Sequence, residues 1–134
     1  MDDLVQFLRD RLDEDETVAR TAGGQEADGL RWLDHGSGNG VVSDDAGMVV
    51  TFRTGAGDPH AADIALHDPA RTLREVEAKR GLLKRYEEPE TSAALSDSVN
   101  TFTAGVERTV LLEVFRHLTL PYADHPDHRE DWRP

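Results

Sequence analysis

The stretch Ile64 to Arg85, IALHDPARTLREVEAKRGLLKR, decides how the chain is read. Here the start signal, apolar periodicity and charge order of a helix coincide. Asp68 is an N-cap, its carboxylate placed to accept from the free N–H groups of the first turn. Pro69 takes the first helical position, where its missing N–H costs nothing. Strong helix formers follow, with Glu75 and Glu77 early and Lys79, Arg80, Lys84 and Arg85 late, the order the helix dipole favours. At about 100° per residue, Leu73, Val76 and Leu83 share one face, and Arg80 lies on it as well.

Before this helix, Asp2 to about Arg20 reads as a first helix. Leu4, Val5, Leu8, Leu12 and Ala19 form its stripe, and Asp15 projects near the centre of that stripe. Asp13, Glu14 and Glu16 point away, towards water. Thr21 to Asp28 is a polar loop, Leu30 to Asp34 a short strand with Trp32, and His35 to Gly40 a turn region. Val41–Ser43 and Met48–Arg53 read as a hairpin around Gly47. Thr54 to His60 is a connector, and Ala62 to Leu66 is either a further strand or a backward extension of the central helix. After Glu88 comes a linker. A third helix then starts at Thr101 or Thr103 and runs to about Leu118, with Val106, Val110, Leu111, Val114 and Leu118 as its apolar face and Glu107 projecting into it. Pro121 ends it. The tail PYADHPDHREDWRP packs back through Tyr122 and Trp132.

The expected architecture is α+β: an N-terminal helix, a small antiparallel sheet of two to four strands, two further helices and a docked C-terminal tail. The 134 residues suit a single domain, 1–134. The absence of cysteine removes disulfides, thiolate nucleophiles and cysteine zinc sites. The acidic, amphipathic N-terminus is unlike a signal peptide, and no apolar run reaches membrane-spanning length, so a soluble cytoplasmic protein with no membrane partner is expected. A net charge of −12 argues against direct nucleic-acid binding, which relies on cations displacing counterions.

Three constellations are candidates for chemistry. Asp15, Glu77, Arg80 and Glu107 form a candidate polar cluster, since each helix sets an ionisable residue on its stripe. Burying a lone charge costs several kcal/mol, so these groups pair between helices or line a polar ligand pocket. His67, Asp68 and Arg71 form a candidate anion or ligand site at a helix start, with Asp68 committed to capping. Asp124, His125, Asp127 and His128 offer divalent-metal ligands, although their spacing across Pro126 lacks the helical HExxH context and an Asp-stabilised turn explains the same letters. HGSGNG lacks the lysine of a phosphate loop, and Ser37 lacks a GxSxG elbow.

Three segments, MDDLVQFLRDRLDEDETVAR, IALHDPARTLREVEAKR and LTLPYADHPDHREDWRP, resemble the small actinomycete proteins grouped as domain of unknown function 6221. The chain departs from that pattern at AGGQEADGLRW, before and including Trp32. The resemblance implies one compact domain and carries over no catalytic residues. The functional expectation is a non-enzymatic binding or accessory protein working through protein–protein contacts, with a protein partner or as a homodimer, and without a cofactor. The alternative is a metal-dependent or phosphate-directed enzyme that uses the carboxylate cluster or the His/Asp-rich tail.

Overall fold

The Asp68 carboxylate accepts the Arg71 backbone N–H at 2.6 Å, and the helix that it caps runs Pro69–Glu87. The computed structural model describes residues 2–23, 31–34, 41–44, 47–51 and 59–134. In chain order the elements are α1 (Asp2–Gly23), β1 (Leu33–Asp34), β2 (Val41–Asp44), β3 (Gly47–Thr51), α2 (Pro59–Leu66), α3 (Pro69–Glu87) and α4 (Asp97–Thr119). Two single-turn 3-10 helices, Leu120–Tyr122 and Glu130–Trp132, shape the tail. The polar loop at 24–28, the turn region at 35–40 and the strand end and connector at 52–58 lie outside the described residues.

The expected α+β class, with an antiparallel sheet as a structural layer, is overturned: the protein is helical. Its helices run 22, 8, 19 and 23 residues, against strands of two, four and five. Among the residues whose burial is described, the buried apolar set lies on helices and at Trp132, with Val42 on a strand. Strands this short cover too little surface to serve as a layer. They pair antiparallel in the order β1-β2-β3, and α2 lies against the first two.

The stretch Ala62–Leu66 is helical, as the end of α2. It does not continue into α3 because Asp68, as N-cap, needs non-helical backbone. The His67 N–H closes α2 by reaching the Asp63 and Ile64 carbonyls, both at 3.2 Å.

The chain divides into two compact units, Met1–Asp13 with Ala78–Pro134, and Glu14–Glu77. In the second, Ala19, Val42, Ala70 and Val76 are buried together with the capping Asp68. In the first, Leu4, Val5, Phe7, Leu8 and Leu12 of α1 are buried, as are Leu83, Leu111, Phe115 and Trp132. Arg80 meets Asp13 at 2.5 Å and Arg9 meets Glu87, a pattern that sets these parts of α1 and α3 antiparallel. The ring of Tyr86 stands edge-on to Phe115 at 5.6 Å. Arg108 donates to the Tyr86 and Glu87 carbonyls at 3.0 and 3.4 Å, satisfying the open end of α3.

The helix expected from Thr101 or Thr103 begins earlier, at Asp97. Asn100 holds the preceding linker in place: its side chain accepts the Ser92 N–H at 3.0 Å and donates to the Ser92 and Leu95 carbonyls. The buried face of α4 is Leu111, Phe115 and Thr119, while Val106 and Val110 are exposed. Helix α4 therefore carries apolar residues on two faces. Phe115, packed against the Tyr86 ring, anchors the face that turns inward. Phe115→Ala should lower unfolding stability by about 3–5 kcal/mol in urea titration, whereas a loss below about 1 kcal/mol would show that another residue sets the rotation of α4.

Candidate functional site

The tail is a succession of tight turns. His125 N–H bonds to the Tyr122 carbonyl at 2.9 Å, His128 to His125 at 2.9 Å, and Trp132 to Arg129 at 3.1 Å. Such turns have little surface of their own to bury, and Phe7 of α1 provides it. Its ring meets Tyr122, His125 and His128 edge-on, at centroid distances of 6.4, 5.7 and 5.8 Å. Trp132 lies closest, at 5.0 Å and tilted by 49°. One turn further along α1, Arg11 is buried. Its guanidinium lies 5.1 Å from the centre of the Phe7 ring, and its Nη1 meets Nε2 of His125.

Of the four tail residues that could ligate a metal, the two histidines take part in this arrangement. Both ring nitrogens of His125 face donors, Arg11 at Nε2 and the Asp127 backbone N–H at Nδ1 (3.1 Å). A neutral imidazole has one lone-pair nitrogen, and a guanidinium only donates. His128 Nε2 stands 3.4 Å from the hydroxyl of Thr119, which itself donates to the Arg116 carbonyl at 2.7 Å. Asp124 and Asp127 are exposed. No three His, Asp or Glu groups gather as a metal site among the described residues. Beside the clasp, a shallow cavity of about 350 Å³ is lined by Phe7, Trp132, Arg11 and the carboxylates of Asp3, Asp10 and Asp127.

The other candidates are divided between the two units. In the first unit, Arg80 takes Asp13 as its partner at 2.5 Å, the residue expected to face water. Glu107 takes Arg85, which also reaches Glu90 at 2.5 Å. The hydrogen bonds that the Arg85 guanidinium donates to Glu107 and then to Glu90 hold it above its ordinary range. In the second unit, Asp15 is half-buried and Glu77 exposed. Asp68 caps α3. Arg71 spans Glu75 at 2.8 Å and the Leu66 carbonyl at 3.2 Å, so its cation bridges the α2–α3 turn. His67 is exposed, with Nδ1 2.9 Å from the Asp63 carbonyl oxygen.

What sequence reasoning missed is a surface. On α4, Val99, Phe102, Val106 and Val110 are 42, 72, 49 and 57% exposed. They repeat every three or four residues, on the side of the helix away from Phe115. A larger cleft of about 740 Å³ adjoins the start of this helix, between the linker and Asn100, Thr101, Ala104 and Arg108.

The profile of a family of unknown function, DUF6221, matches residues 1–134. The chain belongs to the DUF6221 family. No curated protein and no solved structure matches it. Membership in DUF6221 assigns no reaction and no site residues, so roles rest on the geometry. Two signals for that geometry were present in the sequence. Arg11 falls within about 20° of Leu4 on the stripe of α1, nearer than its charge suggested. Phe102, an aromatic within a run of small polar residues, marked the outer face of α4.

A second link ties the tail to α1. Arg129 donates to both carboxylate oxygens of Asp131, at 3.0 and 2.9 Å, and to Asp3 at 3.2 Å, while its guanidinium lies 5.6 Å from the Trp132 ring centre. The Arg129 hydrogen bonds hold the Asp131 carboxyl below the usual carboxylate range. A group whose pKa is lower folded than unfolded adds stability above its unfolded pKa, and loses it as pH falls through the folded value. The stability difference between the parent chain and Asp131→Asn, followed by thermal melting, should thus be constant from pH 8 to 5 and shrink below about pH 4. A difference that persists to about pH 2 would dissociate Asp131 from Arg129.

Proposed function

We propose that this DUF6221 chain is a non-enzymatic binding or accessory protein that acts through protein–protein contacts, with the outer face of α4 as its binding surface. The observation that carries this reading is the apolar row Val99, Phe102, Val106 and Val110, exposed along a helix whose other side is already packed. Single exposed apolar residues are ordinary, but a contiguous row at helical spacing marks an interaction site. Local energetics point the same way. From Asp97 to Val110 the helix has no buried residue, and Ser98, Val99, Asn100, Thr101, Phe102, Thr103 and Gly105 are weak helix formers. A segment with neither propensity nor burial is stabilised when a partner covers it.

The polar candidates support the same reading, because Arg11, Asp68, Arg71, Arg80, Arg85 and the two tail histidines are engaged in packing, capping or ion pairs. A protein partner also accords with the net charge of −12, which disfavours nucleic acid. No helix among the described residues is long and apolar enough to cross a membrane. We place the protein in the cytoplasm, in keeping with a chain that has no cysteine to oxidise.

A photo-crosslinking amino acid at Val106, activated in cells, should give adducts of protein mass. The same group at Val18, which is 67% exposed on α1, should give few. Equal yields at the two positions, or none at Val106, would remove the proposal.

A further inference from the structure

We infer that the occupant of the α4 face is a second copy of this chain, with the two α4 helices packed antiparallel. This rests on the reading of that face as a binding surface and names what binds there. The charge pattern is the first argument. The run Ser98–Val106 contains no Asp, Glu, Lys or Arg, the longest such run in any of the four helices, in a chain with 27 acidic and 15 basic residues. Two copies each carrying −12 repel wherever their acidic surfaces meet. Along this run they can touch without bringing carboxylates together.

Orientation follows from the helix ends. Asp97 lies in the first turn of α4, and Arg116 and His117 in the last. Parallel packing would set Asp97 beside Asp97 and align the helix dipoles. Antiparallel packing opposes the dipoles and brings each acidic start towards the other copy's basic end. It also permits a self-complementary register with Val99 facing Val110 of the second copy and Thr103 facing Val106, as a two-fold interface requires.

The area agrees. At about 1.5 Å per residue, α4 is about 35 Å long. The exposed parts of the apolar row and its flanks, counted on both copies, amount to on the order of 1,000 Å², the lower end for a specific interface, so a dimer that dissociates on dilution is expected.

Sedimentation equilibrium of the purified full chain, from micromolar to near-millimolar concentration, tests this. The 14.9 kDa chain should approach twice its mass as concentration rises. Phe102→Asp should raise the dissociation constant at least tenfold, while Val18→Asp leaves it within twofold and both variants keep their helical circular dichroism. Because the chain has no cysteine, orientation can be read with single-cysteine variants and a short bismaleimide. Thr103→Cys should give a covalent dimer and Val99→Cys should not, since antiparallel packing separates the two copies of residue 99 by about eleven residues of helix rise. A parent chain monomeric throughout, a Phe102→Asp dimer as tight as the parent, or equal cross-linking of both cysteine variants would overturn the inference. If the purified chain is monomeric while Val106 still captures another protein in cells, the second copy is excluded and the binding surface stands. Absence of adducts at Val106 would remove both.

Discussion

Phe7 gathers the C-terminal tail onto α1. Four rings approach it, Tyr122, His125, His128 and Trp132, and the Arg11 guanidinium lies against it. The tail has only single turns of 3-10 helix after Thr119, so hydrogen bonds along its own backbone cannot hold it in one conformation. Aromatic pairs add about 0.5–1.5 kcal/mol each beyond the area they bury, and burial of the Trp132 ring adds more. Without Phe7 the remaining polar links are Arg11 to His125, His128 to Thr119, and the exposed ion pair of Arg129 with Asp3, a kind that contributes little.

The same contacts decide what the polar residues are for. Arginine suits a buried place beside an aromatic ring because its guanidinium is planar and weakly hydrated, and Arg11 occupies such a place. In doing so it takes up one ring nitrogen of His125. Thr119, wholly buried, takes up His128. At the start of α3, Asp68 and Arg71 hold a turn between two helices. Arg11, Asp68 and Arg71 make packing, capping and turn contacts, and α4 turns Phe102 and its neighbouring valines outward.

Local signals were legible in the sequence. The Asp68–Pro69 cap spans four residues and its physics is complete within them, so it could be read directly. The stripe of Leu4, Leu8 and Leu12 is repeated and unbroken, and it too could be read. Properties that depend on a second element were not legible. The rotation of α4 depends on the Tyr86 ring of α3, which no periodicity within α4 records, so Val106 and Val110 were placed inside and Phe115 was overlooked. Asp13 pairs with Arg80 because an arginine side chain reaches well past the face its Cα suggests. The weight given to the sheet came from alternation over very few residues, which cannot report how much surface a strand will bury. Of the candidate site, the tail residues were named for their ligand chemistry, while Phe7, the ring that orders them, gave no polar signal.

Two faces on one helix connect the fold to the function proposed for it. The C-terminal half of α4 is anchored by Leu111 and Phe115, and its N-terminal half, poor in helix formers, presents Phe102 to solvent. The tail that follows α4 depends in turn on Phe7 of α1, which its rings surround. Hydrogen exchange of the Trp132 amide in a Phe7→Ala variant tests this dependence most directly. If Phe7 orders the tail, that amide should exchange near its unfolded rate while the amides around Phe115 stay protected. Protection of Trp132 equal to that in the parent chain would contradict it.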